Sequence, residues 1–274
     1  MLQDHSPAEP HVMRLEDYRP PEWTTDRIEL VFTIRDATRV EVESVLHVRR
    51  SGEFDAKSPV PAFELDCHEK VDAGEIRMQS GVLSPEQYQR TGRKIVLQPT
   101  SHDPFTVSVK TIVNPEANKA GKGMYVSGPV IVTQCEPDAY QRFGAAQDRP
   151  DVMPTFTTTI VAPEKEWPVL LANGNETARG RDEAAGTQSV TFETPFRMPT
   201  YLFALVAGKL EMIEATHRTP SGRDVKLQVF MQAGNEQRSR CVLEFLESAM
   251  QWDEENYGCD CDLDQYKVAI VNDF

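Results

Sequence analysis

No apolar run in this 274-residue chain approaches the roughly 20 residues that span a bilayer, so it is not expected to be a membrane protein by itself. Its start, Met1-Leu2-Gln3-Asp4-His5-Ser6-Pro7, lacks the basic opening and continuous apolar stretch of a secretory signal, which makes a cytoplasmic location the expectation. Basic side chains are scarce beside acidic ones: 29 Lys and Arg against 43 Asp and Glu leave a formal charge of −14. Such a balance repels phosphate backbones and anionic lipid, so neither nucleic acid nor a membrane surface is expected as a partner. Cysteine is sparse and odd in number. Cys67, Cys135, Cys241, Cys259 and Cys261 sit at spacings that form no disulfide framework and are read as reduced thiols. The six histidines, His5, His11, His47, His68, His102 and His217, are scattered singly, and no nucleophile, base and orienter can be assembled from them.

What the sequence does contain is strand pattern. Ile28, Leu30, Phe32 and Ile34 alternate with mostly polar residues, the period-two signature of a half-buried strand. Val40, Val42, Leu46 and Val48 repeat it after a short turn at Asp36-Ala37-Thr38, which predicts a hairpin. Phe105, Val107 and Val109 form another alternating run, as do Phe156, Thr158 and Ile160. Turn residues punctuate the chain at Asn173-Gly174-Asn175 and Pro220-Ser221-Gly222. Many short strands with regular punctuation predict a mainly β protein built as a β-sandwich. The apolar run Tyr201 to Gly208 reads as a strand buried on both faces. Beyond it, Asp224 to Met231 predicts a strand, and a helix opens at Asn235, whose side chain can cap free amides. Val242, Phe245, Leu246, Ala249 and Met250 mark that helix's apolar stripe, while Glu244 and Glu247 face water. Lys267 to Val271 predicts a last strand. This β-α-β tail looks like the opening of a second domain, because its strands have too few partners to cover them. The tail is also acidic, and from Glu236 onward its charge reads as a solvated helix face.

Several short motifs fail on chemistry. His68-Glu69-Lys70-Val71-Asp72 starts like the helical zinc motif H-E-x-x-H, but carries Asp72 where the second imidazole belongs and lies among strand signals; a surface loop is expected. Gly121-Lys122-Gly123 lacks the leading glycine and trailing hydroxyl of a phosphate loop, and reads as a turn between strands. Cys259-Asp260-Cys261 has no second ligand pair to complete a metal site. Asn175-Glu176-Thr177 fits a glycosylation acceptor, which matters only in a secreted protein.

An ordered series of segments carries more weight than any of these. Asp17 to Pro21, Gly123 to Gly128, Val132 to Glu136, Asp148 to Val152, Pro168 to Asn175, Tyr201 to Gly208, Ser248 to Glu255 and Val268 to Phe274 together resemble the aminopeptidase N family of zinc exopeptidases, over nearly the whole chain from about residue 15. The resemblance implies an N-terminal extension over 1–16, a saddle-like N-terminal β domain over 17–208, and over 209–274 the opening β-α-β portion of an incomplete thermolysin-like α/β catalytic domain. In that family a G-A-M-E-N motif would follow Asp273-Phe274 almost at once, with H-E-x-x-H and a third glutamate ligand further on. None of these is present. The chain alone is therefore expected to have no catalytic residue, no metal ligand, no bound zinc and no activity, zinc belonging to the full-length parent.

One family function falls inside the chain. The Gln-x-Glu pair that binds the substrate's free α-amino group is matched by Gln134 and Glu136, so the implied partners are peptides with a free N-terminus and the remainder of the catalytic domain. Residues 134 and 136 share one face of an extended segment. A desolvated ammonium needs a carboxylate and further acceptors, which Glu136 and the Gln134 carbonyl would supply. The chain departs from the family just downstream, where Tyr140 to Gln147 replaces a basic and aromatic stretch. At about 1.5–3 kcal/mol per large side chain, such losses should loosen packing beside the pocket unless another segment fills it. Cys259 and Cys261 likewise replace positions usually held by Leu and Tyr. The alternative from another class is a non-catalytic β-sandwich interaction module, a degenerate paralogue or scaffold. The coding sequence downstream of Phe274 discriminates the two.

Overall fold

The computed structural model describes residues 14–79 and 81–273. Of the segment 1–16 only its last three residues fall within that range, and His5, His11 and Phe274 lie outside it.

The alternating runs form the eight-stranded backbone of the molecule. Trp23–Asp36 and Arg39–Arg50 pair antiparallel as the expected hairpin, with Ile28, Leu30, Phe32 and Ile34 facing Val40, Val42 and Leu46 across the inner face. Asp36 closes the turn by accepting the Thr38 amide at 2.7 Å and its hydroxyl at 2.6 Å. Phe105–Val113 extends the sheet on one side, followed by Asp72–Met78 and Gly81–Val82. Thr155–Pro163 joins on the other side, parallel to Trp23–Asp36, followed by Thr187–Glu193 and Asn175–Asp182.

Opposite this sheet lie two short ones. Phe63–Asp66, Lys94–Leu97 and Tyr88–Thr91 make a three-stranded sheet. Val169–Ala172, Leu205–Gly208, Val130–Gln134 and Gly123–Ser127, in that order, make a four-stranded sheet. One continuous core joins all three, running from Phe63, Leu65, Ile95 and Leu97 through Phe32, Leu46 and Phe105 to Ile131, Leu170 and Leu205. The β-sandwich is thus a large sheet faced by two small ones. Gly121 and Gly123, both in the left-handed region, form the expected turn into Gly123–Ser127.

The run Tyr201 to Gly208 departs from expectation. Thr200–Leu202 is a short 3-10 turn, Leu202 is exposed, and only Leu205–Gly208 is strand. The reason is Asn173. Its side chain donates to the Leu202 carbonyl at 3.1 Å and accepts the Ala204 amide at 2.6 Å, taking backbone groups that a strand neighbour would otherwise use. Phe203, released from the strand pattern, enters the core.

That insertion also corrects the expectation of loose packing at 140–147. Tyr140, Phe143, Ala145 and Ala146 are sealed from solvent. Phe203 stacks on Phe32 at 5.8 Å and meets Tyr140, Phe143 and Phe156 at 5.7, 5.8 and 5.7 Å between ring centroids. Phe203 from a distant turn packs tightly on Tyr140 and Phe143, and offset or edge-on ring pairs add about 0.5–1.5 kcal/mol each beyond area burial.

Beyond Gly208 the chain enters a separate three-stranded sheet. Glu211–Arg218 and Asp224–Met231 form a hairpin around Pro220-Ser221-Gly222, the helix Glu236–Tyr257 crosses over, and Gln265–Ala269 returns parallel to Asp224–Met231. The final strand begins two residues before the predicted Lys267 and ends at Ala269. Gly258, at φ 65°, stops the helix in the left-handed conformation that glycine tolerates best.

Three expectations about the helix change. Asn235 stands at its N-terminus but donates its amide to the Gln232 carbonyl and makes no cap bond. The inward-facing stripe is the half-buried Leu243 and Leu246 with the buried Met250, packed on Ala215, Val225 and Leu227; Phe245 is 72 % exposed, and Ala249 also faces out. Among the acids, Glu254 turns inward, its carboxylate oxygens 2.9 and 3.0 Å from Nε2 of His217, with both side chains buried. Cys261 is half-buried against the same small core, and Cys259 is exposed. All five cysteines are free thiols.

Candidate functional site

Val130–Gln134 is hydrogen-bonded to neighbours on both sides, and Val130, Ile131, Val132 and Thr133 are buried. The Thr133 hydroxyl accepts the Leu205 amide at 2.8 Å, which seats the strand end against the turn carrying Phe203. Past Gln134 the period-two alternation continues for two residues. Cys135 points into the core, where burial pushes its thiol pKa up, while Gln134 and Glu136 emerge on the other side. The Glu136–Pro137 peptide is cis.

Gln134 and Glu136 line one cavity of about 480 Å³. The tail also lines it, through Gln265, Lys267 and Ala269, which lie two apart along the last strand. Asn173 and Ala204 contribute to the lining as well. Among the described residues Glu136 makes no ion pair, leaving an uncompensated carboxylate at the mouth of a largely apolar cleft. The Gln134 carbonyl is already engaged, accepting the Glu136 backbone amide at 3.0 Å, so one lone pair remains for a ligand. That bond holds the Gln134 side chain against the backbone of Glu136.

Two ionisable groups that frame this region carried no signal in the sequence. Lys267 reaches from the last strand to the carbonyls of Gly174 at 2.9 Å and Ala172 at 3.4 Å, with its Nζ 4.3 Å from the centre of the Phe192 ring. Burial lowers its pKa to about 8, partly opposed by the charge of Glu176. Gly174, at φ 88°, lies so close to the Glu193 backbone that any Cβ would collide with it, so the carbonyl that Lys267 uses is held in place. Asp148 accepts the Thr200 hydroxyl at 2.6 Å and the Gln141 amide at 3.1 Å, linking 140–147 to the Phe203 turn. Burial raises its pKa to about 6 despite those bonds.

The rejected motifs sit apart from this cavity. His68 lies in a loop, as expected, but is buried rather than at the surface, its backbone amide bonded to the Gln141 carbonyl at 2.8 Å. Among the described residues no three His, Cys, Asp or Glu side chains converge as a metal-binding group, so these residues do not fit a zinc site. Among the described residues no helix is long and apolar enough to cross a membrane.

Comparison with known proteins agrees with this architecture. Residues 69–202 match the peptidase M1 N-terminal domain. The chain is 34 % identical over 268 residues to aminopeptidase N of Escherichia coli, covering 97 % of this chain and 29 % of that protein. It is also 34 % identical over 265 residues to aminopeptidase N of Caulobacter vibrioides, covering 97 % and 30 %. It therefore spans a little under a third of these relatives' length. Among solved structures, Legionella pneumophila aminopeptidase A in complex with aspartic acid superposes with a TM-score of 0.86 at 27 % identity, over 94 % of this chain and 30 % of that one. An M1 zinc metallopeptidase from Deinococcus radiodurans bound to a Tyr-Ser-Ala substrate shares the fold, with a TM-score of 0.73 at 17 % identity over 90 % of this chain and 56 % of that one. By its matched domain and near-full-length similarity to these enzymes, the chain belongs to the aminopeptidase N family of M1 peptidases.

Proposed function

We propose that this chain is part of a zinc-dependent aminopeptidase, and that it supplies the scaffold and the recognition of the substrate's α-amino group. The observation that carries the reading is that Gln134 and Glu136, two apart along the chain, line one cavity together with residues of the strand Gln265–Ala269. An incoming ammonium would meet the unpaired Glu136 carboxylate and the free lone pair of the Gln134 carbonyl. A charge-assisted bond of this kind contributes about 1.5–3 kcal/mol, more than a neutral one, so Glu136 carries most of the recognition and Gln134 orients it. Val132, Leu205 and Ala269 give the cavity an apolar lining, which would strengthen the attraction once a bound substrate displaces water.

In this reading the chain divides into an extension over 1–16, a β domain over 17–208 and the start of a catalytic domain over 209–274. The change of sheet between Gly208 and Glu211 supports that division. Zinc would be held by residues of the parent polypeptide outside this chain, where it would supply Lewis-acid activation of water; the parent's substrates would be peptides with a free N-terminus, and its location the cytoplasm. The test is hydrolysis by the full parent polypeptide of a matched pair of peptides, one with a free amine and one acetylated. The reading expects cleavage of the free peptide and at least a hundredfold lower kcat/KM for the acetylated one. Equal rates would refute amine recognition.

A further inference from the structure

A second cleft, of about 670 Å³, opens between the turn after Trp23–Asp36, the loop carrying His68, and the connection from Phe105–Val113 to Gly123–Ser127. Its volume is in the range of about 300–1,000 Å³ typical of small-ligand sites. Its charge sets it apart. Arg39, His68, Lys70, Lys119 and Arg142 all line it, and not one Asp or Glu does, in a chain where acids outnumber bases 43 to 29. Arg39 is compensated, its Nε bonded to Glu41 at 3.0 Å. Among the described residues Lys70, Lys119 and Arg142 make no ion pair.

The frame under these charges is fixed. The His68 amide donates to the Gln141 carbonyl at 2.8 Å, tying its loop to the 3-10 turn Tyr140–Arg142. Arg90 braces the same loop from below by donating to the carbonyls of His68 and Val71 at 3.1 and 2.9 Å. Asn118 donates to the carbonyls of Lys122 and Met124, both at 2.8 Å, and accepts the Ala120 amide, which sets the loop presenting Lys119. Burial, then the charge of Arg142, lowers the pKa of His68. Its Nδ1 accepts the Lys70 amide at 3.2 Å, so the ring proton of the neutral form sits on Nε2 and makes that atom a donor. The cleft therefore presents one guanidinium fork, two ammonium groups and one imidazole N–H, with no acceptor carboxylate among them.

We propose that this cleft binds a small, multiply charged anion through phosphate or carboxylate groups. Like charges held together without counter-charges repel, and an anion bridging Arg142, Lys70 and Lys119 relieves that repulsion, with Arg142 offering the two-pronged geometry both groups favour. The site is independent of the amine recognition proposed for Gln134 and Glu136.

The test is calorimetric titration of this chain with inorganic pyrophosphate and, separately, with citrate, in low-chloride buffer, alongside NMR of the His68 ring. Saturable one-to-one binding that shifts the His68 resonances is expected for at least one of the two, and binding of one alone assigns the chemistry to phosphate or to carboxylate. Lys70→Glu combined with Lys119→Glu should weaken binding by about tenfold or more, since both side chains are exposed and their replacement leaves the fold intact. Arg142→Lys, which keeps the charge and loses the fork, should weaken it by about threefold to tenfold. Lys165→Glu, an exposed reversal elsewhere, should leave the affinity within about twofold. Failure of both anions to saturate, or equal weakening by Lys165→Glu and the double variant, would overturn the proposal.

Discussion

Two groups of aromatic side chains in this molecule have opposite fates. Phe32, Tyr140, Phe143, Phe156 and Phe203 are no more than 2 % exposed, whereas Phe245, Trp252 and Tyr257 on the long helix are 72, 53 and 69 % exposed. The first group lies between a large sheet and two smaller ones, so every ring has neighbours on all sides. The second lies on a helix that has a sheet on one side only. Leu243, Leu246 and Met250 use that side, and Val242, Phe245, Ala249 and Trp252 repeat the same spacing one residue earlier, about 100° round the helix, where Phe245, Ala249 and Trp252 are left exposed. Burial thus depends on the partner available as much as on the pattern of the element itself.

The largest test of this contrast is a pair of truncations. Phe203→Ala should destabilise the chain by about 3–5 kcal/mol, because it empties the centre of a five-ring cluster that cannot collapse. Phe245→Ala should change stability by under about 0.5 kcal/mol, since an exposed side chain has little burial to lose. Thermal melting of both variants reads the difference directly, and comparable losses would break the comparison.

Next in size is the hydrogen-bonded pair that pins the helix to its sheet. His217→Ala leaves the Glu254 carboxylate buried without that donor, at a cost of about 3 kcal/mol. Because the pair lies in the smaller unit, hydrogen exchange should accelerate across 225–269 while 27–49 remains protected. Even in the unmodified chain 225–269 should exchange faster than 27–49. Uniform exchange across both regions would remove the basis for treating them as unequally stable.

Two buried ionisable groups sharpen the comparison with opposite pH signs. The pKa of Asp148 rises from 3.8 unfolded to about 6 folded, so the folded state holds the extra proton and stability falls as pH rises from about 4 to about 6. The pKa of Lys267 falls from 10.5 to about 8, so the unfolded state holds the extra proton and stability rises from about pH 8 to about 10.5. Each effect amounts to about 3 kcal/mol. Asp148→Asn should abolish the fall in the acid window, and Lys267→Met the rise in the alkaline one, each read as the difference in denaturant midpoint from the parent chain. Lys267 reaches from the smaller unit into the larger, so its variant also reports on their contact.

The strands were legible wherever one face is buried and the other wet. Ile28 to Ile34, Val40 to Val48, Phe105 to Val109 and Asp224 to Met231 all fall where alternation puts them, because a sheet with one core-facing side imposes period two on its residues. Tyr201 to Gly208 misled because its break is made by the side chain of Asn173, some thirty residues earlier, which no local pattern records. The helix stripe misled for a related reason, since two faces have nearly equal apolar content and only the position of the sheet chooses between them. The adjacency of Gln134 and Glu136 followed from their spacing, whereas the engagement of the Gln134 carbonyl by the Glu136 amide needed the turn geometry past the strand end. Lys267 and Asp148 owe their perturbed pKa values to burial by segments distant in sequence, and nothing around either residue announces it.

The proposed role of Glu136 in amine recognition is tested by the Glu136→Gln substitution in the full parent polypeptide, measured for kcat/KM on a free-amine peptide and for melting temperature. A carboxylate kept for an ammonium ligand contributes little to folding, and it has no ion pair here among the described residues. Loss of the charge-assisted bond should therefore lower kcat/KM by about ten- to a hundredfold at an unchanged melting temperature, with a smaller loss for Gln134→Ala. An unchanged kcat/KM together with a melting temperature several degrees lower would contradict the account and make Glu136 a structural residue.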